Sequence, residues 1–154
     1  MFKKICLFSI FFAIFLSGCG AKGARFDSFV ETESKNSATV YVYRLTRAMG
    51  ALVRFTAYYD NGDGEKEIGM ISNGAYAKAE IPANKKTQIY IAGKGNGGTI
   101  IPKAGEIYCF KYGLYQSGEF YSAAGWLPNY GASIYMVDLE TCKREIKRTR
   151  LHSK

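Results

Sequence analysis

ATVYVYRLT, residues 38–46, decides the fold. Val40 and Val42 alternate with Tyr41 and Tyr43, and a period of two is the spacing of a strand whose successive side chains point to opposite faces. β-branched and aromatic residues suit that pleated surface. The pattern predicts a half-buried strand with aromatic residues on its second face. LVRFTAYY, residues 52–59, continues the alternation through Val53, Phe55, Ala57 and Tyr59, and Asp60-Asn61-Gly62-Asp63-Gly64 follows as a turn. Further short strands are expected at 67–71, 76–81, 87–92, 99–101, 106–115 and 133–139, punctuated by Asn73-Gly74 and Pro82-Ala83-Asn84. Short strands at near-regular spacing predict an all-β fold, a single antiparallel sandwich. The end of the chain breaks the rule. Leu139, Cys142 and Ile146 fall at i, i+3 and i+7, one stripe of a short C-terminal helix, with Asp138 as its N-cap. Lys143, Arg144, Lys147 and Arg148 then face outward.

The first residues carry an address. Lys3-Lys4 precedes ICLFSIFFAIFL, residues 5–16, and small residues follow, the layout of a signal peptide. Twelve helical residues span only ~18 Å, short of the ~30 Å hydrocarbon core, so a membrane-spanning helix is not expected. Leu16-Ser17-Gly18-Cys19 looks like a bacterial lipobox. That resemblance implies removal of residues 1–18 and conversion of Cys19 into a first residue bearing two or three acyl chains (palmitate among them), enough for stable anchoring. The alternative is an ordinary secretory peptide, with Cys19 a plain thiol. Gly20 follows Cys19, without the aspartate associated with inner-membrane retention, so the expected address is the outer membrane, facing the periplasm. Cleavage removes Lys3 and Lys4 but no acid, taking the formal charge from +8 to +6 over the remaining 136 residues, enough for one domain with a core.

The address also sorts the cysteines. Cys6 leaves with residues 1–18 and Cys19 takes lipid, which leaves Cys109 and Cys142 in an oxidising compartment. A disulfide between them is the natural reading, two buried thiols the alternative. Such a bridge would link the terminal helix to the strand carrying Cys109 and contribute at most roughly 3–4 kcal/mol by chain entropy. Residues 19–37 form the lipidated N-terminus and a polar tether, able to reach ~60 Å at ~3.5 Å per residue. Phe26, Phe29 and Val30 interrupt that tether and suggest an edge segment docked on the domain or, alternatively, a partner-binding motif. The folded domain is expected over 38–154.

Ala38-Thr39-Val40-Tyr41-Val42-Tyr43-Arg44 resembles the opening strand of a bacterial family known as domain of unknown function 2846. Ile68-Gly69-Met70, Asn73-Gly74-Ala75-Tyr76 and Ile81-Pro82 continue the resemblance, with Ala83 where that family tends to carry glycine. Gly105-Glu106-Ile107-Tyr108 looks like its glycine-led aromatic strand, and the likeness covers residues 38–148. The resemblance implies a small immunoglobulin-like or PEGA-like sandwich on envelope lipoproteins, with no established chemistry and no functional residues to transfer.

Residue patterns that carry chemistry are few. Gly93-Lys94-Gly95-Asn96-Gly97-Gly98 satisfies GxGxxG, but a dinucleotide loop must open a helix, and Thr99-Ile100-Ile101-Pro102 is β-prone, so a hairpin loop is expected. Asp60 to Glu65 hints at a calcium loop, yet Gly62 stands at the third position and no glutamate stands at the twelfth. The sole histidine, His152, lies in the tail, so no Ser–His or Cys–His pair is supported, and no metal, cofactor or enzymatic activity is expected. Nucleic acid is a poor partner for an exported chain. Two binding surfaces remain. Lys143, Arg144, Lys147 and Arg148 suit anionic lipid or lipopolysaccharide phosphates, against the alternative of a solvated helix with a frayed end. Phe120, Tyr121, Trp126 and Tyr130 lie in a Gly/Pro-containing connection, 117–131, suited to a protein interface or to sugar faces. The expectation is a non-catalytic module for another envelope protein, or for peptidoglycan or lipopolysaccharide.

Overall fold

The computed structural model describes residues 21–152, except 31, 33, 49, 92, 123 and 124. Residues 1–18, expected to form a signal peptide, and Cys19 lie outside the described residues. In chain order the elements are β1 (Ser37–Tyr43), β2 (Phe55–Asp60), β3 (Glu65–Ile71), β4 (Ala75–Pro82), β5 (Thr87–Ile91), β6 (Gly97–Ile100), β7 (Ile107–Ser122), β8 (Gly125–Val137), α1 (Leu139–Ile146) and β9 (Arg150–Leu151). They form an all-β sandwich with one short C-terminal helix. One sheet runs β8-β7-β1-β4-β9 and the other β3-β2-β5-β6. Only the second is purely antiparallel. In the first, β1 pairs parallel with β7 and β4 parallel with β9, which corrects the expectation of a uniformly antiparallel sandwich. The reason is the long connection each pair requires: the chain leaves β1, builds the second sheet, and returns to lay β7 alongside.

That return makes β1 a central strand, and all seven of its residues are buried rather than half-buried. Ala38, Val40 and Val42 face the other sheet and meet Ala57, Ile71, Ile81, Ile89, Ile91 and Phe110 in the main core. Full burial of each such isoleucine or phenylalanine is worth about 1.5–3 kcal/mol relative to exposure. Tyr41 and Tyr43 point the other way into a second core with Phe26, Cys109, Cys142 and Ile146. The five-stranded sheet is therefore covered on both faces, by a sheet on one side and by α1 with the N-terminal segment on the other.

Arg44 closes β1. It is 3% exposed, and its guanidinium donates to the carbonyls of Val53 and Gly50, each at 2.7 Å. The same group lies 4.8 Å from the centroid of the Tyr112 ring. A buried charge is tolerated where its donors find acceptors, and here they fasten the connection from β1 to β2.

Candidate functional site

The C-terminal helix is built by local signals. Asp138 accepts from the Thr141 amide at 2.8 Å, the N-cap expected from the sequence, and that backbone bond leads in holding the carboxyl below its ordinary pKa. Cys142 and Ile146 are buried, whereas Leu139 is 38% exposed and leaves the stripe at its first position. Cys142 is disulfide-bonded to Cys109 of β7. Glu145 accepts from the Tyr43 hydroxyl at 2.7 Å and from Lys111 at 2.9 Å. Of the four helix cations, Lys143 is paired with Glu140 at 2.8 Å and Arg144 reaches Thr141 Oγ1 at 3.4 Å. Lys147 and Arg148 are exposed and make no ion pair among the described residues. The segment after the helix, through Leu151, is ordered rather than frayed as the solvated-helix alternative had it. Thr149 is buried, and Arg150 and Leu151 pair as β9 with β4.

The aromatic segment 117–131 is a hairpin rather than a loop. Beyond Lys111, β7 pairs with β8 alone, through Tyr121 opposite Trp126 and Phe120 opposite Leu127, with Tyr130 opposite Gln116. A bulge between Gln116 and Gly118 absorbs the irregularity, with Gly118 at φ +148°. Pro128 is admissible because β8 is an edge strand. The side chains of Phe120, Tyr121, Trp126 and Tyr130 lie outside the described residues. Nearer the body the two faces are distinct. Tyr112 and Ile134 are core residues. Tyr108 is held by Glu106 at 2.6 Å. Tyr115 and Tyr135 are 48% and 46% exposed. Each ring lies against a glycine of the opposite strand, Tyr115 on Gly131 and Tyr135 on Gly113. Cross-strand cover of glycine by an aromatic ring steadies a two-stranded ribbon.

The N-terminal segment is docked, not free. The amide of Ala21 donates to Asn73 O, Gly23 to Leu151 O and Phe26 to Thr149 O, and Leu151 N returns a bond to Ala24 O. Phe26 is buried edge-on to Phe29, Tyr41 and Tyr76, and the Val30 amide donates to the Tyr41 hydroxyl. A tether extending tens of ångströms is therefore replaced by a segment that widens the sheet beyond β9.

Beside this segment, where the chain crosses from β3 to β4, lies a groove of about 940 Å³. Ala21, Ile68, Met70 and Leu151 supply apolar lining, and Lys22, Arg54 and Lys78 supply cations. All three cations are exposed and without an ion pair among the described residues. Gly69, at φ +148°, allows β3 to approach β4, since a Cβ there would lie 2.9 Å from that of Ala77. His152 Nδ1 lies 3.0 Å from Ser72 Oγ at one end. No sequence motif marks this groove, because its residues come from five separate segments.

The remaining candidates resolve into turns. Asp60 and Asn61 cap their own loop, accepting from the amides of Gly62 and Asp63, while Asp60 pairs with Lys94 at 2.5 Å and Asp63 with Lys85 at 2.7 Å. The Lys94 bond is the main cause holding the Asp60 carboxyl below its ordinary range. Residues 93–96 lead from β5 to β6, which begins at Gly97, so the motif runs into a strand where a phosphate loop needs a helix. Among the described residues no cluster of three or more His, Cys, Asp or Glu is placed to hold a metal, and no helix is long and apolar enough to cross a membrane. Comparison with family models and with curated proteins finds no match to this chain.

Proposed function

We propose that this chain is a bacterial envelope lipoprotein, anchored through acylated Cys19 in the outer membrane facing the periplasm, whose sandwich is a non-catalytic module binding another envelope protein. The Lys3-Lys4 start, the apolar run and Leu16-Ser17-Gly18-Cys19 support the address. The Cys109–Cys142 bridge accords with it, since disulfides persist in oxidising compartments. The observation that carries the binding role is the outer face of the β7–β8 ribbon. Tyr115 and Tyr135 are exposed there on a strand face, with the Lys111–Glu145 pair at its inner end. A mixed aromatic and polar patch suits a protein partner more than a sugar, and the edge strand β8 offers backbone groups for strand addition away from Ile134, whose amide donates to Asn96 O at 3.4 Å. The likeness to the domain of unknown function 2846 family belongs to the same proposal.

Photoactivatable residues at Tyr115 and Tyr135 test it in intact cells. The expected result is one discrete crosslinked envelope protein, lost when the probe is moved to exposed Lys85 in the connection between β4 and β5. Retention on peptidoglycan or lipopolysaccharide with no crosslinked protein would instead establish the glycan-binding alternative.

A further inference from the structure

The groove between β3 and β4 points to a second site, on the face next to the anchor. We infer that it binds the headgroup and upper acyl region of an anionic phospholipid of the membrane to which Cys19 is attached. This rests on the acylation of Cys19 proposed above.

Two independent observations converge. The first is position. Ala21 both lines the groove and is fixed to Asn73 at 3.2 Å, and it follows Cys19 by two residues. Two residues span at most about 7 Å, so an acylated Cys19 brings this mouth of the sandwich to the bilayer surface. The second is chemistry. Lys22, Arg54 and Lys78 stand around the groove with Glu67 as the one acid in the described lining. None of the three cations has an ion pair among the described residues, and Met70 and Leu151 present apolar surface, at 37% and 39% exposure. Cations beside exposed apolar side chains complement a phosphodiester carried on acyl chains. A neutral headgroup would leave the cations unmatched, and a free phosphate would leave Met70 and Leu151 facing water.

The experiment uses the full chain purified with its processed N-terminus and reconstituted in phosphatidylethanolamine vesicles. A photoactivatable phosphatidylglycerol or phosphatidylcholine is added at trace level, and labelled peptides are mapped by mass. The expected result is labelling by the anionic probe at peptides containing Met70 and Leu151. Combined Lys22→Gln, Arg54→Gln and Lys78→Gln should lower it about tenfold or more, since each basic residue near an anionic surface matters by about a factor of five. Lys143→Gln with Lys147→Gln on α1 should leave it unchanged. Equal labelling by the zwitterionic probe, labelling elsewhere, or insensitivity to the triple variant would overturn the site. The mass of the N-terminal peptide reads the anchor separately. Groove labelling with unacylated Cys19 would overturn the anchor and keep the site, whereas acylated Cys19 with an unlabelled groove would do the reverse.

Discussion

The hydroxyl of Tyr43 donates to the carboxylate of Glu145 at 2.7 Å, joining the last residue of the central strand to a helix 102 positions later in the chain. Lys111 holds the other carboxylate oxygen at 2.9 Å, so β1, β7 and α1 meet on one side chain. The disulfide between Cys109 and Cys142 crosses the same layer. Burial alone would raise the pKa of Glu145, but the bonds from Lys111 and Tyr43 outweigh it and hold the carboxyl below the ordinary range. Burial, reinforced by the adjacent carboxylate, drives the Tyr43 hydroxyl well above its own ordinary value.

Tyr43→Phe is expected to destabilise the fold by about 1.5 kcal/mol, the low end for a hydrogen bond to a charged group, because Lys111 stays in place. The sign with pH follows from the depressed carboxyl. Between the two pKa values the unfolded state binds the extra proton, so the stabilisation is complete above the unfolded pKa of ~4.3 and is lost as pH falls through the lower folded value. Urea unfolding of the natural chain and of Glu145→Gln at a series of pH values checks this. The gap between them should be widest near neutrality and narrow in acid, and a gap that widens in acid would refute the arrangement.

Removing the bridge with Cys109→Ala and Cys142→Ala together should cost about 2–4 kcal/mol. Both residues are almost fully buried, so loss of packing adds to loss of the crosslink. Denaturant unfolding measures the sum. Adding reductant should destabilise the natural chain and leave the double variant unchanged, and a reductant-insensitive natural chain would contradict the bridge.

Much of the fold was legible because its signals are local. The alternation of Val40, Tyr41, Val42 and Tyr43 marks a strand, and Asp138 with the Cys142 and Ile146 stripe marks the helix start and its buried face. The parallel pairings were not legible, since nothing near β1 states that β7 rather than β2 will lie beside it. The hairpin was concealed by Gly118, Gly125, Pro128 and Gly131, which dilute the strand pattern but fit a bulged edge ribbon. Residues 20–37 read as a tether because they are polar. Their docking depends on Phe26 and Phe29 finding Tyr41 and Tyr76, partners that only the assembled sheet supplies. The groove had no signal at all, being a juxtaposition of distant cations.

The glycines of residues 93–98 divide by role, which separates a hairpin from a nucleotide loop. A Cβ on Gly97 would fall 1.9 Å from the Ile89 carbonyl oxygen, a backbone atom in the paired strand, while one on Gly95 would meet nothing within 4 Å. Gly97→Ala is therefore expected to destabilise by about 1–3 kcal/mol or more, the range for forced overpacking, and Gly95→Ala to lie within about 0.5 kcal/mol of the natural chain. Thermal unfolding of both variants decides it, and equal tolerance would remove the close β5–β6 pairing. Neither the natural chain nor Gly95→Ala should show nucleotide affinity by calorimetry.

The docking of the N-terminal segment is tested most sharply at Gly23. Its amide donates to Leu151 O at 3.1 Å, and a Cβ at that position would lie 2.1 Å from the same oxygen. No side-chain adjustment relieves a clash with backbone, so Gly23→Ala must either shift β9 or release the segment. Release is the expected outcome. It sacrifices few hydrogen bonds, whereas moving β9 would disturb Thr149, which is fully buried and bonded to Ile146 O at 2.6 Å. Hydrogen exchange should then show faster exchange of the amides of Ala21, Gly23 and Phe26, with Val40 and Ile89 in the main core unchanged. Global stability should fall by less than the ~3–5 kcal/mol typical of losing a core phenylalanine, because Phe26 leaves with its segment rather than leaving a rigid cavity. Protection of Ala21 and Gly23 equal to that of the natural chain would show that residues 21–26 are not held by Leu151. The same variant lengthens the free chain between Cys19 and the sandwich, so it should also diminish labelling of the groove by membrane lipid while leaving acylation of Cys19 intact.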